Sequence, residues 1–302
     1  MIRKSLIKTS VAVTAIGMTV LPATAFAAAQ GTSYTHPGTT ITNLPNAHGQ
    51  SNSGKSVHKS SYTHPGVTIK NLPRQSLTPK SGSSAYGKHI TNIGWSSSNW
   101  SGFAATGSTY NDITGSWVVP TVKASSSNTY SSSWIGIDGF NNSDLIQTGT
   151  EQDYVNGKAQ YDAWWEILPA AETVIPTMFI SPGDHMTAHI HNNGNGTWTI
   201  TLNDVTQNET FSTTQSYSGP GTSAEWIQEA PQVNGTISTL ANYGQTTFDP
   251  GTVNGGNPSL NTSENGYMVQ RNKIVSYPSN QDSDTDGFNV AYGSTQPTPP
   301  QS

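Results

Sequence analysis

The sequence predicts an all-β domain, either a sandwich or a barrel, preceded by a basic segment that lacks its patterning. Two observations carry this. From about Ile93 onward, runs of aromatic and β-branched residues alternate with clusters of Gly, Asn, Ser and Pro, the signature of short strands joined by turns. No stretch repeats its apolar residues with the 3.6-residue period that an amphipathic helix of three turns requires.

The elements follow in order. Arg3, Lys4 and Lys8 precede an apolar stretch from Val11 to Leu21, and Ala25-Phe26-Ala27 supplies small residues at alternate positions. This reads as a signal peptide over residues 1–27. The apolar stretch is shorter than the roughly 20 residues needed to span a bilayer. Residues 28–92 contain a repeat. Ser33-Tyr34-Thr35-His36-Pro37-Gly38 returns as Ser61-Tyr62-Thr63-His64-Pro65-Gly66, and Asn43-Leu44-Pro45 returns as Asn71-Leu72-Pro73. Two copies are too few for a solenoid. The composition fits a pro-segment with two short docking motifs, each able to add a strand to a sheet edge or fill a groove. Its removal is placed between Ser84 and Ile93.

Within the domain, residues 93–294, strands are expected at Ile113–Val119, Ser131–Ile137, Leu145–Gln147, Gln160–Ile167, Met178–Ile180, Met186–His191, Thr197–Leu202, Glu209–Ser212, Glu225–Gln228, Gln245–Phe248, Tyr267–Val269 and Phe288–Tyr292. Thr197 to Leu202 alternates cleanly, as a half-buried strand does, and Asn193-Gly194-Asn195-Gly196 before it signals a hairpin. Residues 295–302 read as a flexible tail.

Charge is divided unevenly. Residues 1–92 carry nine Lys/Arg and no acid, a net of +9. The remainder carries all 18 acids against Lys123, Lys158, Arg271 and Lys273, a net of −14. A basic segment of this kind can bind an acidic domain at neutral pH and loosen as carboxylates protonate near pH 4. With so few cations the domain gains little positive charge in acid, which suits work at low pH. The chain has no cysteine, which excludes thiol catalysis, cysteinyl metal sites and disulfides. No phosphate loop, basic nucleic-acid stripe or Asp-Thr-Gly signature is present. His185, His189 and His191 are the domain's only histidines and lie on one expected hairpin. They give neither a triad base with its partners nor a full ligand set, so no metal or other cofactor is expected.

Six motifs place polar residues inside aromatic strands. They are Ser98-Asn99-Trp100-Ser101-Gly102, Gly115-Ser116-Trp117-Val118-Val119-Pro120, Trp134-Ile135-Gly136-Ile137-Asp138-Gly139, Leu145-Ile146-Gln147-Thr148-Gly149, Tyr161-Asp162-Ala163-Trp164-Trp165-Glu166 and Ala224-Glu225-Trp226-Ile227-Gln228-Glu229. In a strand, Glu225 shares a face with Ile227, while Trp226 and Gln228 point the other way. A carboxylate among Ile and Trp is either paired or functional. In this order the motifs resemble the glutamic peptidases, or eqolisins, from about Asn99 to Phe248. The absence of cysteine makes the chain look like a bacterial-type member, and Ile167-Leu168 replaces aromatic residues of the family's Trp-Tyr-Glu-type run.

The resemblance implies a two-sheet antiparallel β-sandwich of the concanavalin type and a secreted, pepstatin-insensitive endopeptidase active in acid. It implies Gln147 and Glu225 as the catalytic pair, with Trp100, Trp134, Asp138, Asp162 and Glu166 around them. Polypeptides would be its substrates, its own pro-segment an intramolecular inhibitor or chaperone, and the monomer its default state, with no nucleic-acid partner and no membrane once the signal is removed. The chemistry agrees. In acid a histidine is protonated and cannot be a base, whereas a carboxylate near its own pKa still can. A glutamine N–H is an oxyanion donor that does not titrate. The rival reading is a carbohydrate-binding sandwich with Trp134, Trp164 and Trp165 as sugar platforms, or a glycosidase using Glu225 and Glu166.

Overall fold

Seventeen strands form one hydrogen-bonded path that folds back on itself into two layers. The computed structural model describes residues 34–36, 39–43, 64–77 and 94–302. The expected signal peptide and the expected processing site between Ser84 and Ile93 lie outside the described residues. In spatial order the first layer is Tyr34–His36, Thr39–Asn43, Glu209–Ser216, Thr197–Asp204, His185–Asn192, Asp112–Val118 and Gln245–Val253. The second is Asn265–Gln270, Trp100–Thr106, Ser223–Glu229, Ser132–Ile137, Ile146–Val155, Lys158–Ile167 and Thr173–Val174. Phe288–Tyr292 and Lys273–Pro278 join the layers along one edge. Trp95–Ser97 lies parallel to Asn265–Gln270; the other pairings just named are antiparallel. Among the described residues no helix is long and apolar enough to cross a membrane.

The two layers differ in how they meet water. The strands Asp112–Val118 and Thr197–Asp204 alternate between buried and half-buried residues, as expected for a sheet with one wet face. The strands Ser132–Ile137 and Ser223–Glu229 are buried at every position. Their inner face gives Ile135, Ile137, Ala224 and Trp226 to the main core. Their outer face gives Trp134 and Ile227 to a second cluster with Trp100 and Trp164. A sheet buried on both sides needs a second cover, and residues 64–77 supply it.

Two indoles tie the layers together. Trp117 Nε1 donates to Thr150 Oγ1 at 3.0 Å, and Trp226 Nε1 donates to the Thr114 carbonyl at 2.8 Å. A buried Trp needs such a partner for its N–H. Trp226 also requires the opposing strands to be bare beneath it: a Cβ on Gly115 would lie 2.9 Å from its Cδ1, and one on Gly251 would lie 2.7 Å from its Nε1.

Most expected strands form, with shifted ends. Phe288–Tyr292 coincides. The strand expected at Leu145–Gln147 instead runs Ile146–Val155, because Thr150 to Asp153, though polar, are buried and all paired with Lys158–Ile167, Thr150 and Glu151 also with Ser132–Ile137. Met178–Ile180 is not a strand; Met178 and Ile180 pack into the main core from a loop. The 193–196 hairpin forms, with the Asn193 N–H donating to the Thr197 carbonyl at 2.9 Å and Gly194 and Gly196 both at φ 80°. The two repeat copies behave differently. Residues of the first pair with Glu209–Ser216 at the edge of the first layer. In the second, Ile69–Lys70 pairs with Gln232–Val233. Beyond Tyr292, Asn289 Nδ2 donates to the Thr298 carbonyl at 2.8 Å.

Gly115→Ala places a methyl group against Trp226 and Ile135 and is expected to cost about 1–3 kcal/mol through overpacking. Urea denaturation of the purified variant measures this as a lowered midpoint at unchanged slope.

Candidate active site

One row of residues crosses the second layer. Glu225 faces Ala104 on one side and Gly136 on the other; Gly136 faces Gln147, and Gln147 faces Glu166. Residues in register point to the same face, so Glu225, Gln147 and Glu166 all project outward. One strand lies between the Glu225 and Gln147 backbones, which are two strand spacings or about 10 Å apart, and Gly136 puts no side chain between them. The packing enforces the glycine, since a Cβ there would lie 2.8 Å from Trp134 Cζ3 and 3.1 Å from the Ile146 carbonyl oxygen.

Gln147 is fully buried. Its Nε2 donates to Glu166 Oε2 at 3.0 Å and to the backbone carbonyl of Asn71 at 2.7 Å. Two acceptors on that side fix the amide orientation. Its Oε1 has no hydrogen-bond partner, and neither has either carboxylate oxygen of Glu225. Burial pushes Glu225 well above the usual carboxylate range, opposed by the Ser223 hydroxyl and reinforced by the nearby Asp138 charge. Burial also pushes Glu166 up to about 8, against the opposing hydrogen bonds from Asn71 and Gln147.

Two residues further along, the row is aromatic: Ile227, Trp134, Gly149 and Trp164. The next row is Glu229, Ser132, Glu151 and Asp162. Glu229 Oε2 accepts from the indoles of Trp100 and Trp134 at 3.1 and 3.0 Å, and its Oε1 accepts from Asn99 Nδ2 at 3.0 Å. The two indoles meet edge to face, 5.0 Å between centroids. Trp100 and Trp134 therefore hold Glu229 as well as lining the face. Asp138 lies at the end of its strand with φ 72°. Its carboxylate accepts from Tyr217 Oη at 2.7 Å and from the backbone N–H groups of Gly221 and Thr222 at 2.8 Å each. It anchors the loop that leads into the strand of Glu225.

Residues 64–77 lie across this face. Besides the carbonyl bound by Gln147, the Asn71 N–H donates to Glu166 Oε2 at 2.9 Å. The Leu72 N–H donates to Glu229 Oε1 at 3.0 Å, and its carbonyl accepts from Trp100 Nε1 at 2.8 Å. His64 Nε2 sits 3.0 Å from Asp162 Oδ2 and 3.6 Å from carboxylate oxygens of both Glu151 and Glu172. Burial alone would lower the His64 pKa, but the hydrogen bond and charge of Asp162 outweigh it and the net shift is upward. Burial pushes Asp153 up to about 7, and Glu151 and Glu172 well above their usual range. Lys70 and Arg74 take no carboxylate: Lys70 Nζ donates to the Pro169 carbonyl, and Arg74 Nε to that of Phe140 with its guanidinium 4.0 Å over the Phe140 ring.

Thus Gln147, Glu225 and Glu166 share one row, Asp162 lies in a parallel row with His64, Trp100 and Trp134 stand between, and Asp138 braces one end. Glu151, Asp153, Glu172, Glu229 and Asn99 join the site without having been singled out. The period-two rule carries the signal for three of them, since Glu229 lies on the face of Glu225, and Glu151 and Asp153 lie on that of Gln147. His64 forms two groups able to offer ligand atoms within 4.8 Å of one another, one with Glu151 and Asp153 and one with Asp162 and Glu172. His185, His189 and His191 lie in the other layer, where His189 Nε2 contacts Asp112 Oδ2 at 2.6 Å.

The raised carboxylates set a pH dependence. Asp153 at about 7 and Glu166 at about 8 hold protons in the folded chain that the unfolded chain releases near pH 4. Their contribution to stability is complete below about pH 4 and is lost as pH rises through about 7–8, at no more than about 1.4 kcal/mol per pH unit for each group. Melting temperatures of the full chain should therefore fall steadily from pH 4 to pH 8; a rise over that range would contradict the protonated state assigned to this face.

The chain is similar to known peptidases. The model of the Peptidase A4 family matches residues 98–292. Aspergillopepsin-2 of Aspergillus niger is 28% identical over 192 residues, covering 56% of this chain and 68% of its own. Scytalidopepsin B of Scytalidium lignicola is 29% identical over 137 residues, 44% of this chain and 51% of its own. The crystal structure of scytalido-glutamic peptidase with a transition state analog inhibitor aligns with TM-score 0.56 and 25% identity, covering 65% of this chain and 98% of that one.

Proposed function

Because the chain belongs to the Peptidase A4 family and is a glutamic endopeptidase, we propose that Glu225 and Gln147 are its catalytic pair, that it is secreted and works in acid, and that residues 64–77 hold it inactive until they are removed. The observation that carries this reading is the Asn71 carbonyl on Gln147 Nε2, a peptide carbonyl received by the one uncharged donor of the polar row.

In a substrate complex the scissile carbonyl takes the place of Asn71. The Glu225 carboxylate removes a proton from water, and the hydroxide adds to the carbonyl carbon. The oxyanion that forms is stabilised by the second hydrogen of Gln147 Nε2, the first being committed to Glu166. Protonated Glu225 then gives its proton to the leaving nitrogen, and the C–N bond breaks. A preorganised donor of this type contributes about 10²–10³ in rate. Glu166 acts by orienting the amide. A raised Glu225 pKa suits the second half of the cycle, in which the group must carry a proton.

With residues 64–77 in place Trp134 and Trp164 are fully buried, and Trp165 packs against the main core, which does not favour the sugar-platform alternative.

Hydrolysis of denatured protein, with pepstatin present, tests the pair over about pH 2–7, a span that brackets the carboxylate range. Glu225→Gln should abolish cleavage with the fold retained, and Gln147→Ala should lower kcat by about 10²–10³. Cleavage by Glu225→Gln equal to that of the native chain would overturn the assignment. For the segment, a synthetic peptide of residues 64–77 should inhibit the acid-processed enzyme competitively, and the same peptide with His64→Ala should inhibit more weakly. Absence of inhibition at saturating peptide would remove these residues from the role of inhibitor.

A further inference from the structure

A third group of carboxylates lies away from the acidic face, where Gln245–Val253 meets the loop before Phe288–Tyr292. That loop reads Asp282-Ser283-Asp284-Thr285-Asp286-Gly287. Acids at alternate positions followed by glycine are how calcium loops of the EF-hand type begin. The twelfth position, a bidentate Glu in that motif, is here Gly293, so the loop cannot close a site alone. The further carboxylate comes from another strand. Asp249 lies in a register shift between Phe248 and Gly251, and oxygens of Asp249, Asp282 and Asp286 lie within 4.8 Å of one another.

Asp282 shows that the group is built rather than incidental. It is 6% exposed. Its Oδ1 accepts from the Asp286 and Gly287 N–H groups at 3.2 Å each, while its Oδ2 is buried with no hydrogen-bond partner. Asp286 Oδ1 is likewise buried and unpartnered. An unpaired buried carboxylate oxygen is costly, and three together repel. No protein cation answers them: the ion pairs seen among the described residues are made by His64 and His189. The space between the carboxylates is also kept open, because a Cβ on Gly287 would lie 2.6 Å from Asp282 Oδ2 and 2.7 Å from Asp249 Cγ. The two segments are already tied by the Gly251 N–H donating to the Asp286 carbonyl at 2.9 Å.

We infer that Asp249, Asp282 and Asp286 form a structural calcium site that clasps the 282–287 loop to the neighbouring strand. The donors are hard oxygens without His or Cys, which select a hard divalent cation. Calcium fits better than magnesium, since it accepts irregular carboxylate sets completed by carbonyls and water, whereas magnesium demands a near-ideal octahedron. The site is independent of the catalytic reading: it lies on other strands and takes no part in the chemistry.

Calcium titration of the EDTA-treated full chain tests it at about pH 7, where carboxylates ionise. Calorimetry should show one saturable site per chain, and the melting temperature should rise with calcium chloride but far less with magnesium chloride or with sodium chloride at equal ionic strength. Asp249→Asn and Asp286→Asn should each weaken binding at least about tenfold, as loss of a charged ligand does, and remove the calcium-dependent rise in melting temperature. Asp144→Asn, an exposed acid elsewhere, should leave both unchanged. No saturable calcium binding by the native chain overturns the inference, whatever the variants do. Native-like binding by both Asp variants overturns it too, by placing the ion elsewhere, for example among Glu151, Asp153 and His64.

Discussion

Two long polar side chains on one sheet face cooperate only if nothing stands between them, and in this fold Gly136 meets that constraint. Strand spacing keeps Glu225 and Gln147 apart by one intervening residue; any side chain there would fill the space between them. The glycine is itself held bare by Trp134 and Ile146. Much of the surrounding construction maintains the alignment of these three strands. Trp226 locks the strand of Glu225 to the opposite layer, Asp138 fixes the loop that enters that strand, and Glu166 orients the amide of Gln147.

The same sheet explains how so many acids can share one face. Glu151, Asp153, Asp162, Glu166, Glu225 and Glu229 are all buried, and for each of them burial is the largest influence raising its pKa. Such a face is easiest to assemble when it is largely neutral, so the fold takes up protons as it forms. Most globular proteins are stabilised by ionised carboxylates and lose them in acid; here the sign is reversed. The scarcity of Lys and Arg in the domain works in the same direction, because acid then adds little charge repulsion.

Much of this was legible in the sequence, and the gaps have physical causes. Period-two reasoning put Glu225 with Ile227 and set Trp226 on the opposite face, as the two core clusters show. It failed where a strand is buried on both sides. Trp100–Thr106 has no alternation to detect, and the strand expected to end at Gln147 continues through the buried polar stretch Thr150 to Asp153. The charge asymmetry suggests electrostatic association between a basic segment and the acidic domain, whereas the contacts that residues 64–77 make are mostly of another kind. Of the basic residues in 64–77, His64 alone meets carboxylates, while Lys70 and Arg74 bind carbonyls and an aromatic ring. Sequence reports the sum of the charges; which of them touch depends on where the segment crosses the face.

The first repeat copy has a separate consequence. Thr39–Asn43 occupies the free side of Glu209–Ser216, so in the precursor that strand is internal. Without that pairing it would be the outermost strand of its layer, with a row of amide and carbonyl groups turned to solvent. Open edges of this kind are where chains add to one another. The strand that would be uncovered reads Glu-Thr-Phe-Ser-Thr-Thr-Gln-Ser, hydroxyl-rich and with a single large apolar residue, a composition that favours water over a second chain. The pairing with Thr39–Asn43 thus covers a sheet border whose own composition would let it stand in water.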